Sequence, residues 1–251
     1  MSLRLQAFGL HLAGSALALT LVLGAFWLGC YRWPGWYLAG VLHVVGIVVM
    51  VDLVLGPSLT LIVANPGKSR TELARDIAII VAVQLIALGY GSVTLWQGRP
   101  LYYTFSVDRL ELVQASDLRW DDIVAGRREN PALAPWWYSL PRWIWAPLPD
   151  NPEEAKKIVL GSAFGGTDVI QMPRYFRPWE QGLPELRERL VRLDELHYFS
   201  PAEKHALESR IAQLGLPADQ ANTMLMWGGS RRVLAVFDLR TQQVRALIRG
   251  N

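Results

Sequence analysis

Long apolar stretches dominate the first hundred residues of the chain. Hydrophobic positions run almost without interruption over residues 8–29, 38–63 and 77–96. A helix needs about 20 apolar residues to cross the hydrocarbon core of a bilayer, and each stretch meets that length. The first is too long for the apolar part of a cleavable signal peptide. The pattern therefore predicts a bundle of three transmembrane helices over residues 1–96, with a link at 64–76.

Residues 97–251 have the mixed pattern of a small extracytoplasmic α+β domain. Aromatic and branched residues at 101–107 and 110–113 predict two strands, and those at 232–237 and 244–248 predict a final hairpin. Leucines at helical spacing predict an amphipathic helix over 184–196.

Polar residues that cap helices mark where several helices begin. Ser69 and Ser200 are each followed three residues later by glutamate, which is the capping-box pattern. Asn151 precedes a proline, which is favoured at the first position of a helix. We therefore expect helices to start after these three residues.

A tryptophan-rich region at 117–150 has no clear periodicity and predicts a long irregular loop. Its tryptophans should pack on the domain or face the membrane or a partner; they are Trp120, Trp136, Trp137, Trp143 and Trp145.

The charged residues near the apolar stretches predict an orientation. The link carries Lys68, Arg70 and Arg75, whereas the other side of the bundle offers Arg32 and Arg99. Positive residues are retained in the cytoplasm, so the N-terminus and the link should be cytoplasmic. An odd number of spans then places residues 97–251 outside the cytoplasm.

Composition narrows the classes of protein that fit. Hydrophobic residues make up 51% of the 251 positions and charged residues 19%, and the net charge is +3. No basic stripe with interleaved aromatic residues is present, which argues against nucleic-acid binding. The single cysteine, Cys30, excludes an internal disulfide.

Asp52 is the main candidate for a functional residue in the apolar region. A carboxylate at the centre of a bilayer costs roughly 2.5–3.5 kcal/mol on insertion scales. Thr20 and Tyr90 lie at similar depth on the other two helices. Asp52 could be a protonated group that hydrogen-bonds one of them and joins the bundle. It could equally be a polar docking point for a membrane helix of another protein.

The Gly56-Pro57 step follows one turn after Asp52. Pro57 lacks a backbone N–H group, so it should bend the helix and free carbonyl oxygens near the carboxylate. The bend could simply aid packing, or it could open a lateral notch in which a partner helix binds.

Other polar groups do not assemble into a catalytic pattern. His11, His43, His197 and His205 lie on separated elements and lack the spacing of metal ligands. Asp117, Asp121 and Asp122 are typical of a solvated acidic turn. The glycines of residues 161–167 lack the Gly-Lys-Ser/Thr ending of a phosphate loop. We therefore expect no metal, no cofactor and no enzymatic activity.

Several sequence blocks resemble the TfpX/TfpZ family of type IV pilin accessory proteins. The resemblance rests on residues 7–12, on the Asp52 to Pro57 block with residues 59–63, on the turn Asn65, Pro66, Gly67 and Lys68, and on residues 99–100 and 107–109. It covers the apolar region and the first strands that follow it.

The resemblance implies a bacterial inner-membrane protein that helps a major type IV pilin accumulate and assemble, as a pilin-specific chaperone or assembly modulator. The pilin would contact it through both its membrane helix and its periplasmic head. The family supplies no catalytic residues. Partner docking at Asp52, Gly56 and Pro57 is our own hypothesis, and a homo-oligomer is left open.

Two other functions are compatible with the pattern. One is a periplasm-facing enzyme that modifies pilin or envelope sugars, which a donor-dependent activity lost on mutation of Asp121 or Asp122 would favour. The other is a membrane-anchored ligand sensor, although the N-terminus and the link leave little room for an output module.

Overall fold

The computed structural model describes residues 3–196, 199–215, 221–238 and 243–249. The chain forms two compact units, which are described separately here. The helix unit comprises Met1–Arg32 and Gly40–Arg99, and the sheet unit comprises Trp33–Ala39 and Pro100–Asn251. The short connection between the first two apolar helices thus groups with the sheet rather than with the helices.

The helix unit contains three helices that are long and apolar enough to cross a bilayer, among the residues described. They are α1 (Leu3–Gly29), a second helix over Leu42–Val63, and α5 (Arg70–Gln97). The third begins seven residues before the predicted apolar stretch because the Ser69 hydroxyl and the Glu72 carboxylate form the expected capping box. The link therefore shortens to residues 64–69.

The second apolar helix changes its winding in the middle. It consists of α3 (Leu42–Val49), a π-helical turn (Met50–Leu55) and α4 (Gly56–Val63). Residues 38–41, which the apolar pattern includes in this span, lie before it: Leu38 ends the four-residue helix α2 (Gly35–Leu38) of the sheet unit, and residues 39–41 follow it.

The sheet unit is built on a mixed sheet with helices, which confirms the predicted order of three long apolar helices followed by an α+β domain. Its strands run β4-β3-β1-β2-β6-β7-β8, with β5 paired to β6. The strands are β1 (Pro100–Ser106), β2 (Arg109–Gln114), β3 (Arg142–Trp145), β4 (Arg177–Pro178), β5 (Val191–Arg192), β6 (Asn222–Gly228), β7 (Arg231–Asp238) and β8 (Gln243–Arg249). The helices are α6 (Trp120–Glu129), α7 (Pro152–Ala163), α8 (Trp179–Arg189) and α9 (Pro201–Gln213).

At one end of the strands, the sheet is nearest in sequence to the apolar helices. β1 begins there at Pro100, opposite Gln114 at the end of the antiparallel strand β2. β3 runs parallel to β1 and begins at the same edge, with Arg142 opposite Tyr102. We call it the junction edge, because Pro100 is where the chain passes from the helix unit into the sheet unit.

Residues 33–39 pack against β6, β7 and β8 as part of the sheet unit. The Trp33 indole N–H donates to the carbonyl of Leu247 on β8 at 2.9 Å. Leu38 is buried in the core beneath β6 and β7. A Cβ atom on Gly228 would lie 2.6 Å from the Leu38 Cβ, so only glycine at this position lets the segment approach so closely.

The predicted irregular loop over residues 117–150 is wrong in two places. Residues 120–129 form α6, with Asp121 and Asp122 in its first turn and Arg127 and Arg128 in its last. These charges complement the helix dipole at both ends. Arg142–Trp145 forms β3, which is held by parallel pairing to β1.

The predicted helix over residues 184–196 is also shifted. α8 already begins at Trp179 and ends at Arg189, because Leu190 is extended and Val191–Arg192 pairs with β6. The helices after Asn151 and Ser200 and the final hairpin are confirmed. His197 and the hairpin turn at 239–242 lie outside the described residues.

Candidate functional site

Asp52 lies inside the helix unit, near the middle of the second apolar helix. Its side chain is only 4% exposed. Neither carboxyl oxygen has a hydrogen-bond partner among the described residues. A buried polar group without a partner costs free energy, and native proteins tolerate such groups mainly where a ligand or a function accounts for them.

Neither residue predicted at the depth of Asp52 is its partner. The Thr20 hydroxyl donates to the Ala16 carbonyl of its own helix at 2.7 Å. Tyr90 is 77% exposed on the outer surface of α5. Counting residues along each helix estimates how deep a residue lies in the bilayer. It does not give the direction in which the side chain points.

Gln84 on α5 is the residue that joins the three apolar helices. Its amide nitrogen donates to the main-chain carbonyl of Asp52 at 3.0 Å and approaches the Ser15 hydroxyl at 3.4 Å. Its amide oxygen lies 2.6 Å from His11 Nε2. Gln84 is 7% exposed, so this polar junction is buried within the unit.

His11 completes the junction, although sequence analysis assigns it to no site. Its Nδ1 lies 2.5 Å from the Thr60 hydroxyl oxygen. Because the Gln84 oxygen can only accept, His11 Nε2 carries the proton and donates to it, and a neutral ring then accepts at Nδ1 from Thr60. The signal available in the sequence was position along the helix, since His11 and Thr60 each lie a short way from the end of the helix that is nearest the link.

The π-helical turn explains why Gln84 bonds the main chain at Asp52. The Gly56 N–H group donates to the carbonyl of Val51, five residues earlier. In the same register the Asp52 carbonyl would accept from residue 57, but Pro57 has no N–H group. The freed carbonyl accepts from Gln84 instead. Single π-helical turns of this kind often occur at functional sites.

Gly56 allows the Gln84 side chain to reach this carbonyl. A Cβ atom at Gly56 would lie 2.1 Å from Gln84 Nε2 and 2.3 Å from its Cδ. The amide is already held by bonds to other helices, so it could not move without breaking them. Gly56 and Pro57 are therefore both required by the geometry around Asp52.

A groove of about 520 Å³ opens beside these groups. Its polar lining consists of His11, Ser15, Asp52, Thr60 and Gln84, and its other walls are apolar. Leu10 and Leu85 on its rim are 77% and 61% exposed, so the groove reaches the outer surface of the helix unit. It can therefore accommodate an apolar segment, and a donor on that segment would reach the covered Asp52 oxygens once the side chains over them move aside.

The turn at residues 65–68, which the sequence analysis identified, is held by its own hydrogen bonds and an ion pair. The Asn65 side chain accepts from the Gly67 N–H, and its carbonyl accepts from the Lys68 N–H. The Lys68 ammonium lies 2.7 Å from the Asp76 carboxylate. Asn65, Pro66, Gly67 and Lys68 do not line the groove, so these contacts indicate that the turn sets the connection between the second and third helices.

The remaining candidate groups stay separate in the described part of the chain. No three histidine, cysteine or acidic residues there form a possible metal site. Burial raises the pKa of the Asp117 carboxyl, although the Gln114 N–H donates to it and acts in the opposite direction. The N–H groups of Gly165 and Gly166 bond carbonyls at the end of α7 and so are not turned toward a phosphate.

Comparison with known proteins finds relatives in fimbrial assembly. The chain is 26% identical over 183 residues to the fimbrial assembly protein of serogroup I from Dichelobacter nodosus, covering 72% of this chain and 68% of that protein. The serogroup E1 protein is 25% identical with the same coverage. The protein of serogroups C1 and C2 is 27% identical over 115 residues, covering 46% and 88%.

No family model matches the chain, and no solved structure matches it significantly. The relatives nevertheless support a role in fimbrial assembly. The three apolar helices fit a membrane protein that carries a second, sheet-containing domain.

Proposed function

We propose that this protein is a pilin accessory protein of the TfpX/TfpZ kind, which stabilises a type IV pilin in the bacterial inner membrane and modulates its assembly into pili. The observation that carries the proposal is the unpartnered carboxyl of Asp52 in a groove among three apolar helices. The similarity to fimbrial assembly proteins supports the biological setting.

The groove fits the membrane helix of a pilin that awaits assembly. Hydrocarbon chains of lipids are as apolar as leucine, so helices in a bilayer associate through close packing and polar contacts rather than through the hydrophobic effect. The apolar walls supply the packing surface, and Asp52 supplies an acceptor that the protein itself does not use. Docking of a helix that carries a donor would satisfy this carboxyl.

The proposed orientation places the link on the cytoplasmic side and the sheet unit in the periplasm. The link and its flanks carry Lys68, Arg70 and Arg75, which agrees with the retention of positive residues in the cytoplasm. The sheet unit then lies on the side on which the pilin head is exposed. Two weak contacts on one partner act together with a high effective concentration.

The proposed role requires no catalytic residue, metal or cofactor. Binding at the groove and at the sheet unit would protect the pilin from degradation until it is transferred to the growing fibre. The pilin is therefore the expected partner, and its release rather than a chemical step is the event that the protein regulates.

Pilin turnover tests this function directly. In cells without the protein, we expect the half-life of the cognate pilin in a pulse–chase experiment to fall several-fold and surface pili to be lost. Re-expression of the full chain should restore both. An unchanged pilin half-life together with unchanged piliation would exclude the proposed function.

A further inference from the structure

The sheet unit exposes a group of large aromatic side chains that its own core does not cover. Trp137 is 71% exposed, Trp120 66%, Tyr138 61% and Leu140 59%. The other tryptophans of this region behave differently, since Trp143 and Trp145 pack against the core cluster. Large apolar groups concentrated on a surface commonly mark a contact site. We call Trp120 and residues 136–140 the tryptophan rim.

The tryptophan rim is held by polar contacts from neighbouring elements. The Arg127 guanidinium donates to the Pro135 carbonyl from Nε at 3.1 Å and from Nη2 at 2.9 Å. It also lies over the rings of Trp120 and Trp136, at 5.5 Å and 4.5 Å. The Arg142 guanidinium donates to carbonyls of the same loop, including Leu133. The loop is thus fixed in a shape that presents its aromatic residues outward.

Strand register places the tryptophan rim at the junction edge. Arg142 pairs with Tyr102, so Leu140 is level with Pro100, the first residue of the sheet unit after α5. Trp120 follows the end of β2, where Gln114 pairs with Pro100. The rim therefore lies at the end of the sheet where the chain passes to its apolar helices, and the β1–β2 turn lies at the opposite end.

We propose that the tryptophan rim inserts into the headgroup region of the bilayer that the apolar helices cross. Tryptophan and tyrosine favour this region because one part of the ring system is apolar and another can hydrogen-bond with water. Arginine beside them suits the phosphate groups at that level. Only two residues, Gly98 and Arg99, separate α5 from β1, so the start of β1 would stay close to the membrane surface at which α5 ends.

The contact would restrict the orientation of the sheet unit on the membrane. Three chain connections already join the sheet unit to the helix unit, and an inserted aromatic rim would add an attachment to the lipid itself. The inference rests on the membrane-spanning part of the proposed function but requires no pilin.

Site-directed labelling of the full chain in lipid vesicles tests this proposal. A polarity-sensitive fluorophore would be attached to Leu140→Cys or, independently, to Tyr138→Cys, in a Cys30→Ala background, with no pilin present. The vesicles would contain a fraction of lipids with a quencher at headgroup depth. We expect labels at both positions to lose most of their emission.

Two matched positions make each outcome decisive. Asp108→Cys labels the β1–β2 turn at the opposite end of β1 and should remain unquenched. Leu17→Cys labels an exposed position within α1 and should report hydrocarbon. If Leu17 reports hydrocarbon while positions 138 and 140 are as aqueous as 108, the rim does not contact lipid and the inference is wrong.

Two further results would also overturn it. Labels at positions 138 and 140 that become shielded only when pilin is added would assign the rim to a protein partner. An aqueous label at Leu17 would instead contradict the membrane-spanning part of the proposed function and remove the basis of the inference with it.

Discussion

Replacing Asp52 with leucine is expected to weaken pilin stabilisation strongly while leaving the protein itself at least as abundant. The carboxyl has no partner to lose among the described residues. Leucine at the centre of an inserted helix is favoured over aspartate by about 3 kcal/mol on insertion scales. The bound pilin would lose a polar contact of about 1–2 kcal/mol, which weakens binding about five- to thirty-fold. The measurement is pilin half-life beside the amount of this protein in membranes.

The asparagine variant separates charge from hydrogen bonding. Asp52→Asn keeps the shape and the acceptor oxygen, so we expect it to retain most of the pilin stabilisation. Thr20→Val removes a hydroxyl that bonds the Ala16 carbonyl of its own helix, so it serves as the control and should have no effect. A leucine variant that supports normal pilin levels and normal piliation would show that Asp52 does not dock the partner.

Replacing Gln84 with leucine should produce the largest loss of stability in the helix unit. This change removes the bonds to the Asp52 carbonyl and to His11, and it leaves a buried carbonyl and a half-buried imidazole nitrogen unsatisfied. Each orphaned group costs about 1–3 kcal/mol, partly reduced because an unfolded state in the membrane also finds partners. We therefore expect a total loss of about 2–4 kcal/mol, measured as a lower unfolding midpoint of the purified protein in mixed detergent.

Thr94→Val is the matched control for the glutamine change. It also replaces a polar side chain of α5 by an apolar one, but the Thr94 hydroxyl bonds only the Tyr90 carbonyl of its own helix. Its unfolding midpoint should stay close to that of the unaltered protein. If the Gln84 and Thr94 variants unfold alike, the polar junction does not hold the three helices together.

The apolar helices were predictable from sequence because membrane length and hydrophobicity are properties of single segments. The buried position of Asp52 followed from the same pattern. The side chains around Asp52 could not be predicted in the same way. Counting residues along a helix estimates depth, but it does not fix the rotation of the helix about its axis. Thr20 and Tyr90, which were expected at the depth of Asp52, point elsewhere, whereas His11 and Gln84 point into the junction.

In the sheet unit, the elements that depend on local interactions were predictable from sequence, and those that depend on distant strand pairing were not. The helices after Asn151 and Ser200 were predictable because capping is a local interaction. β3 has only four residues and depends on pairing with β1 some forty positions earlier, which no local pattern indicates. α6 did carry a local signal, namely acidic residues in its first turn and basic residues in its last, within a stretch dominated by tryptophan and proline.

The central claim is that the Asp52 groove receives the membrane helix of the pilin, and photo-crosslinking in living cells tests it most directly. A photoreactive amino acid would replace Leu85, on the groove rim, or its neighbour Ile86, which is 73% exposed but does not line the groove. The account predicts a pilin adduct from position 85 and little or none from position 86. Equal adducts from both positions, or none from position 85, would contradict it.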